Sequence, residues 1–437
     1  MPANISGPSF GPNDNQNVLS TLRRGSVEAF IINLVGFGMV FLMHAVLGRL
    51  IGPEQYGIFS YALSMATLLS IVVPLGWPTA LLRFVAQYTA QQKPGLVWGS
   101  ILRGHQVTLM CCCLVSLVLW ALGRFGALPG KLADSFVYAA FLLPPLTFFV
   151  LHHRIFRGLQ KIGASMIPKS LVVPLSVTLG ALAVSAATAR SAVGIYAAAG
   201  FASAFLSAWW LWHSLKRGGF IVRPEFQTRV WMGIALPMVL VGLSREIINR
   251  TDMVMLGAMA DMDAVGLYGA AVRVATMNTF VLTAINAIAA PLFSAAYHGG
   301  RPAEYRMILK KSVLWSTTAT VPLLAVMLLW PEVILRCFGP AFVAGSPLLR
   351  ILALGQFVNS ATGPVGIALL MSDKQGIVAL SNGVAALLNI MVNFWLIAKM
   401  GALGAAIATS ACIALLNLWK LYLCKKRVLD VQGKGMN

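Results

Sequence analysis

The residues best suited to chemistry sit where a membrane protein tolerates them least. Between Val230 and Ala258 an apolar run is interrupted by Arg245, Glu246, Asn249, Arg250 and Asp252. A charge at the centre of a spanning helix costs roughly 2.5–3.5 kcal/mol, so four of them facing lipid would cost about 10 kcal/mol. They must face protein or water. Arg245, Asn249 and Asp252 stand at i, i+4 and i+7, on one helical face. Glu246 and Arg250 stand at i, i+4 on the adjoining face, acid first, the favourable order for an ion pair. The set reads either as an internal pair with Asp252 clamping a neighbouring helix, or as a polar stripe lining a path. Five polar residues exceed what one clamp needs, which favours the path. Pro237, one or two turns earlier, kinks this helix as a static packing feature or as a hinge. Arg273, in the next apolar run, needs Asp252, a phosphate or water beside it. Glu28, at the start of the first run, is either a proton or sodium site or an acid stabilising a helix start. Asp252 and Glu28 are therefore the candidate ion-coupling groups.

Bond-breaking chemistry has almost no support. No phosphate-cradling G-x-x-x-x-G-K-[ST] loop is present. No Ser–His–Asp grouping or pair of facing carboxylates stands out. His152 and His153 are adjacent, so they point different ways on a helix, and no third ligand is near. Six cysteines, three of them consecutive at Cys111, Cys112 and Cys113, form no C-x-x-C and read as small apolar side chains. The expectation is a non-enzyme with no metal and no cofactor.

The elements that position these charges follow from composition. Of 437 residues 58% are apolar and only 11% charged, against roughly 25% charged in an ordinary soluble domain. Disorder, coiled coil and a disulfide-stapled secreted fold are excluded, and the solvent must be lipid. With about 20 residues needed per span, the chain reads as twelve helices, near 26–48, 57–81, 101–122, 134–152, 165–188, 192–213, 230–258, 265–295, 309–330, 347–371, 377–398 and 402–424. The runs are long and lack period-2 alternation, so strands are implausible. Residues 1–20 read as a disordered tail. The run from Val27 to Leu47 is too long for a signal-peptide core and reads as a retained first span.

Basic residues orient the chain. With both termini on one side, 23 of the 33 Lys and Arg, Lys169 and Lys420 among them, fall on that side. Six fall on the other: Arg49, Arg124, Lys131, Arg190, Arg336 and Lys399. The first side is therefore cytoplasmic. The net charge of +20 is mostly this orientation signal, not a nucleic-acid footprint. The opposite loops are all short, too small to build an external active site.

The two halves repeat. Tyr56-Gly57-Ile58-Phe59-Ser60-Tyr61-Ala62 lies over Val265-Gly266-Leu267-Tyr268-Gly269-Ala270-Ala271 at an offset of 209, and Phe84–Tyr88 lies over Phe293–Tyr297 at the same offset. Ala192-Val193-Gly194 matches Ala402-Leu403-Gly404 at an offset of 210. Six spans on each side of the midpoint make this a parallel duplication about an axis along the membrane normal. The expected architecture is a cytoplasmic tail (1–20), an N-lobe (21–217), a C-lobe (218–425) and a basic cytoplasmic tail (426–437), an all-α polytopic membrane protein with two six-helix lobes around a central cavity.

Several stretches resemble the polysaccharide flippases of the multidrug/oligosaccharidyl-lipid/polysaccharide exporter superfamily. They are Gly48-Arg49-Leu50-Ile51-Gly52-Pro53-Glu54-Gln55-Tyr56-Gly57, Leu81-Leu82-Arg83-Phe84-Val85-Ala86, Asp252 to Gly257 with Val265 to Arg273, and Gly401 to Thr409. The resemblance covers about residues 20–425. It implies movement of a polyprenyl-pyrophosphate-linked oligosaccharide from the cytoplasmic to the outer leaflet, through a cationic cavity that receives the pyrophosphate. Arg245, Asn249, Arg250 and Arg273 are the intramembrane candidates for binding it. Arg49 and Arg83 match the motif positions, where a structural or snorkelling role also accounts for them. Arg suits phosphate through paired hydrogen bonds. Twelve spans fit the oligosaccharide flippases better than the fourteen-span lipid-linked peptidoglycan precursor flippases. The implied setting is a bacterial cytoplasmic membrane, with lipid, the lipid-linked oligosaccharide and a polysaccharide polymerase or export machinery as partners, and no nucleic acid. A drug/cation antiporter of the same superfamily would want an acidic cavity. A membrane polymerase or ligase would want larger outer loops.

Overall fold

The computed structural model describes residues 12–126 and 128–429, and within these the side chains of 12–30, 162, 240–242, 244, 245 and 429 are left aside. Glu28 and the Arg245 side chain thus lie outside the described residues. The described chain is helical throughout, as a backbone in lipid must be when no water can satisfy its N–H and C=O groups. The first half comprises α1 (Pro12–Val72), α2 (Trp77–Ala90), α3 (Pro94–Phe125), α4 (Gly130–Gly158), α5 (Ile162–Ile167), a π-helical turn (Pro168–Val172), α6 (Val173–Val184) and α7 (Ala189–Arg217). The second half comprises α8 (Thr228–Met259), α9 (Met262–Ala275), α10 (Asn278–His298), α11 (Pro302–Leu329), α12 (Pro331–Leu335), a 3-10 turn (Pro340–Gly345), α13 (Ser346–Ala361), α14 (Val365–Leu370) and α15 (Gln375–Cys424), closed by a π-helical turn (Lys425–Leu429).

Among the described residues nine helical stretches are long and apolar enough to cross a membrane. Two of them, Ile31–Val72 and Gln375–Val428, run to 42 and 54 residues, twice what a bilayer needs at 1.5 Å per residue. Each folds back at a glycine held at positive φ, Gly52 (74°) and Gly401 (56°), a conformation that costs glycine nothing. Pro53 follows Gly52 and starts the next helix with φ already set. Two expected segments therefore share α1, two share α15, and the charged segment is α8.

Alternate loops gather at opposite ends of the bundle. At one end Glu54 pairs with Lys131, Gln55 accepts the Ala189 N–H at 2.9 Å, and Gly48 packs on Phe338. At the other, the Glu225 N–H donates to Gly95 at 3.0 Å and the Tyr305 hydroxyl donates to the Ala368 carbonyl at 3.0 Å. The first end is closed by a buried aromatic cluster of Phe59, Phe338, Phe342, Tyr56 and His44, with Tyr56 and Phe342 rings 5.6 Å apart, edge to face.

The halves meet chiefly where the second part of α1 crosses α9. A Cβ on Gly57 would stand 1.9 Å from the Met262 carbonyl oxygen, and one on Gly266 would stand 2.0 Å from the Pro53 carbonyl oxygen. Gly57 and Gly266, like Pro53 and Met262, are equivalent positions in the repeat. The contact is reciprocal, as a local two-fold axis requires. A second junction lies at the opposite end. There the Trp231 indole N–H donates to the Tyr88 hydroxyl at 3.0 Å beside Trp77. The first turns of α8 thus pack on α2, while its last turns pack on α9 and α15. Pro237 lies between the two.

Candidate functional site

A cavity of about 640 Å³ lies beside the charged part of α8. Its walls are α8, α9, α10, α13, α14 and α15, and among the described residues Phe37 of α1 is the one from the first half that lines it. Among the described residues its lining is thus drawn mostly from the second half of the chain.

Local breaks in helices shape this space. The α9–α10 break at Thr276–Met277 and the α13–α14 break at Thr362–Pro364 both border it. Irregular backbone at membrane depth is tolerated only against protein or a water-filled space. Here hydroxyls take up several of the loosened carbonyls. Thr276 donates to Arg273 O at 3.0 Å, Ser316 to Ser360 O at 2.6 Å, and Ser360 to Asn278 O at 3.2 Å.

Asn249, Arg250, Asp252 and Arg273 all line the cavity, together with Glu246. Asp252 is almost fully buried, at 3% exposure. One carboxylate oxygen accepts the Met253 N–H at 2.7 Å. The other accepts the Thr409 hydroxyl at 3.2 Å and the Tyr268 hydroxyl in a short hydrogen bond. Asp252 therefore ties α8 to α9 and to the second part of α15, the clamp that the sequence left open, and its charge is spent on fixed donors. Arg250 Nε stands 3.9 Å from Glu246 Oε2, a loose pair in which each side chain is about a quarter exposed (24% and 25%). Its buried Nε has no hydrogen-bond partner among the described residues. Arg273 lies beside Tyr56 and, with Arg250, within electrostatic reach of His44 and Tyr196.

Arg49 and Arg83 are both exposed, on α1 and α2, and neither lines the cavity. Long basic side chains at span ends reach the interface, which accounts for both without a ligand. Two lysines correct the loop count in the other direction. Lys420 sits within α15, is 9% exposed and lines the cavity. Lys169, on the π-helical turn of the first half, is accessible yet surrounded by protein and acts electrostatically on Arg250 and Glu246. Both fall inside the expected spans 165–188 and 402–424, close enough to their ends to be counted with the cytoplasmic charges. The sequence reading also missed a set of amides on the cavity wall, Asn286, Gln356, Asn359, Asn382 and Asn417. The spacing of Asn417 and Lys420, i and i+3 on one helix, was the available signal.

The cavity is therefore amide-rich. Arg250 and Arg273 stand at one part of it and Lys420 at another, toward the end of the bundle that carries Lys374. Of the two acids that line it among the described residues, one is consumed by hydrogen bonds and the other leans on Arg250. Such a wall suits an anionic group joined to a polyhydroxylated one.

The pattern described as "Polysaccharide biosynthesis protein" matches residues 22–296, well over half of the chain. The chain belongs to the polysaccharide biosynthesis protein family. A MatE pattern also matches residues 237–395, which agrees with the superfamily that the motifs resemble. The polysaccharide biosynthesis protein described here is 23% identical over 397 residues to the probable low-salt glycan biosynthesis flippase Agl15 of Haloferax volcanii, covering 90% of this chain and 81% of that one. In fold it is similar to the lipid II flippase MurJ in an inward closed conformation, with a TM-score of 0.69 at 13% identity, covering 92% of this chain and 87% of that one. It is also similar to an inward-facing multidrug resistance MATE family transporter of the MOP superfamily, with a TM-score of 0.66 at 14% identity, covering 93% and 96%. It is an all-helical, multi-span membrane protein with a MATE/MurJ-like fold, among flippases and transporters rather than enzymes.

Proposed function

We propose that the protein flips a lipid-linked oligosaccharide, joined to its lipid through a pyrophosphate, from the cytoplasmic to the outer leaflet of a bacterial cytoplasmic membrane by alternating access. The observation that carries this reading is the cavity wall, where cations with little acidic competition share one space with five amides. Arg250 and Arg273 would receive the phosphates through charge-assisted hydrogen bonds, with Lys169 within electrostatic reach of Arg250. The amides, each both donor and acceptor, would meet the sugar hydroxyls. The lipid tail would stay in the bilayer. The cavity extends toward the end expected to be cytoplasmic, where substrate would load, and the aromatic cluster around Tyr56 would close the other end. The two halves would act as lobes that rock about this space. Asn249 would add a further amide beside Arg250. A polysaccharide polymerase or export machinery would take the product.

The test is flipping of a fluorescent polyprenyl-pyrophosphate oligosaccharide in proteoliposomes. Arg250→Ala and Arg273→Ala each remove charge-assisted hydrogen bonds worth about 1.5–3 kcal/mol, so half-saturation rises by roughly 10- to 150-fold. Flipping that survives both variants unchanged overturns the site. A cationic drug carried by the wild type in place of the glycan overturns the substrate class.

A further inference from the structure

A second cleft, of about 500 Å³, lies in the first half of the chain between α3, α4 and α7, away from the cavity described above. Three helical faces converge on it. α3 contributes Trp120, Gly123 and Arg124; α4 contributes the i, i+3, i+4, i+7 set from Asp134 to Phe141; and α7 contributes the same spacing from Arg190 to Ala197. Along both α4 and α7 the lining begins with a charge at the helix end and turns apolar within two turns, over about 10 Å. Arg124, Arg190 and Asp134 are all exposed, and no ion pair joins Asp134 to either guanidinium among the described residues. Phe141 is 53% exposed, and Leu114 and Leu117 on α3 and Phe201 on α7 are exposed as well. Gly194 leaves space, since a Cβ placed there meets nothing within 4 Å.

A water-soluble ligand gains nothing from a cleft that is polar at the membrane surface and apolar below it. A lipid matches that gradient at every level. Two guanidiniums and one carboxylate at the surface complement a phosphate with a neighbouring ammonium. Tyr138 lines the same cleft within electrostatic reach of Asp134 and Arg190 and adds a hydroxyl to it. We propose that this cleft binds a phospholipid whose headgroup carries a phosphate and a primary amine, with its acyl chains along Val137, Phe141 and Ala197. The phosphate lies between Arg124 and Arg190. The amine donates to Asp134, which a quaternary ammonium cannot do and a glycerol headgroup does more weakly.

The experiment is native mass spectrometry of the purified full chain after incubation with equimolar phosphatidylethanolamine, phosphatidylglycerol and phosphatidylcholine. Wild type is expected to retain one phosphatidylethanolamine in preference to the other two. Retention should fall at least tenfold in Arg124→Gln/Arg190→Gln and in Gly194→Phe, which fills the cleft. Asp134→Asn should erase the preference over phosphatidylglycerol while leaving a lipid bound. Because all four positions are exposed, each variant should stay monodisperse. If the double arginine variant fails to do so, Gly194→Phe alone decides the question. Retention unchanged in the folded variants, or a wild type that prefers phosphatidylglycerol or phosphatidylcholine, overturns the proposal. So does capture of a free oligosaccharide at this cleft.

Discussion

Replacing Asp252 by Asn separates two roles that the sequence alone left joined. The carboxylate accepts three hydrogen bonds, from the Met253 N–H, the Thr409 hydroxyl and the Tyr268 hydroxyl. An amide of the same shape offers one acceptor oxygen and one donor nitrogen. If its oxygen keeps the two hydroxyls, its NH₂ faces the Met253 N–H, donor against donor. Hydrogen bonds to a charged group are worth about 1.5–3 kcal/mol, and a buried group left unsatisfied costs about 1–3 kcal/mol. Asp252→Asn should therefore cost roughly 2–4 kcal/mol, and Tyr268→Phe about half as much. The assay is thermal unfolding of detergent-purified protein, followed by flipping measured well below the lowered transition. A clamp predicts lower stability with flipping and its response to ion gradients retained. Non-additivity in the Asp252→Asn/Tyr268→Phe double mutant should reach about 1 kcal/mol or more, as residues sharing one hydrogen bond do. Unchanged stability in Asp252→Asn, with gradient-driven flipping abolished, would refute this reasoning and make Asp252 a coupling group.

Other perturbations follow from the same geometry. Gly266→Leu puts a side chain into the 2.0 Å approach to Pro53 O. It should destabilise by more than the about 1–3 kcal/mol usual for overpacking, read as a lower unfolding temperature. Lys420→Met keeps the aliphatic volume and removes the charge, so folding should persist while half-saturation for the lipid-linked oligosaccharide rises about tenfold. Arg49→Ala and Arg83→Ala, both outside the cavity, should each change that half-saturation less than about twofold, since exposed charges contribute roughly 0–1 kcal/mol.

Much of this architecture was legible because lipid allows so little else. A helical stretch of 42 largely apolar residues is too long to cross once, so a turn had to fall near Gly52-Pro53. Arg250 and Arg273 were legible for the same reason, since the bilayer excludes them unless something polar faces them. The repeat gave more than it promised, because positions aligned only by weak similarity, Gly57 and Gly266, touch in the fold. The amides were not legible. An Asn in a spanning helix is cheap enough to point anywhere, and which way Asn382 or Asn417 faces depends on helix rotation, set by packing. Lys169 and Lys420 fall inside the expected spans 165–188 and 402–424, but a basic residue near a span end reads equally as an orientation charge. The uneven lining of the cavity was not legible for a different reason. Two similar halves suggest a symmetric space, whereas the described lining comes mostly from the second half, where the breaks at Thr276–Met277 and Thr362–Pro364 border it.

The crossing of α1 and α9 carries one more consequence. Each half offers the other a glycine Cα and a helix-start carbonyl, and receives the same two groups in return. These two backbone approaches are the same from either side, so neither of them distinguishes left from right. Two copies of a single six-helix unit, each bearing such a Pro-x-x-x-Gly turn, could dimerise through this surface as readily as the halves now join. The segment 218–227 then supplies proximity rather than specificity. Tethering in one chain frees each half to change alone, and a cavity lined by Arg250, Arg273 and Lys420 in the second half, unlike the cleft of the first, is what such freedom looks like.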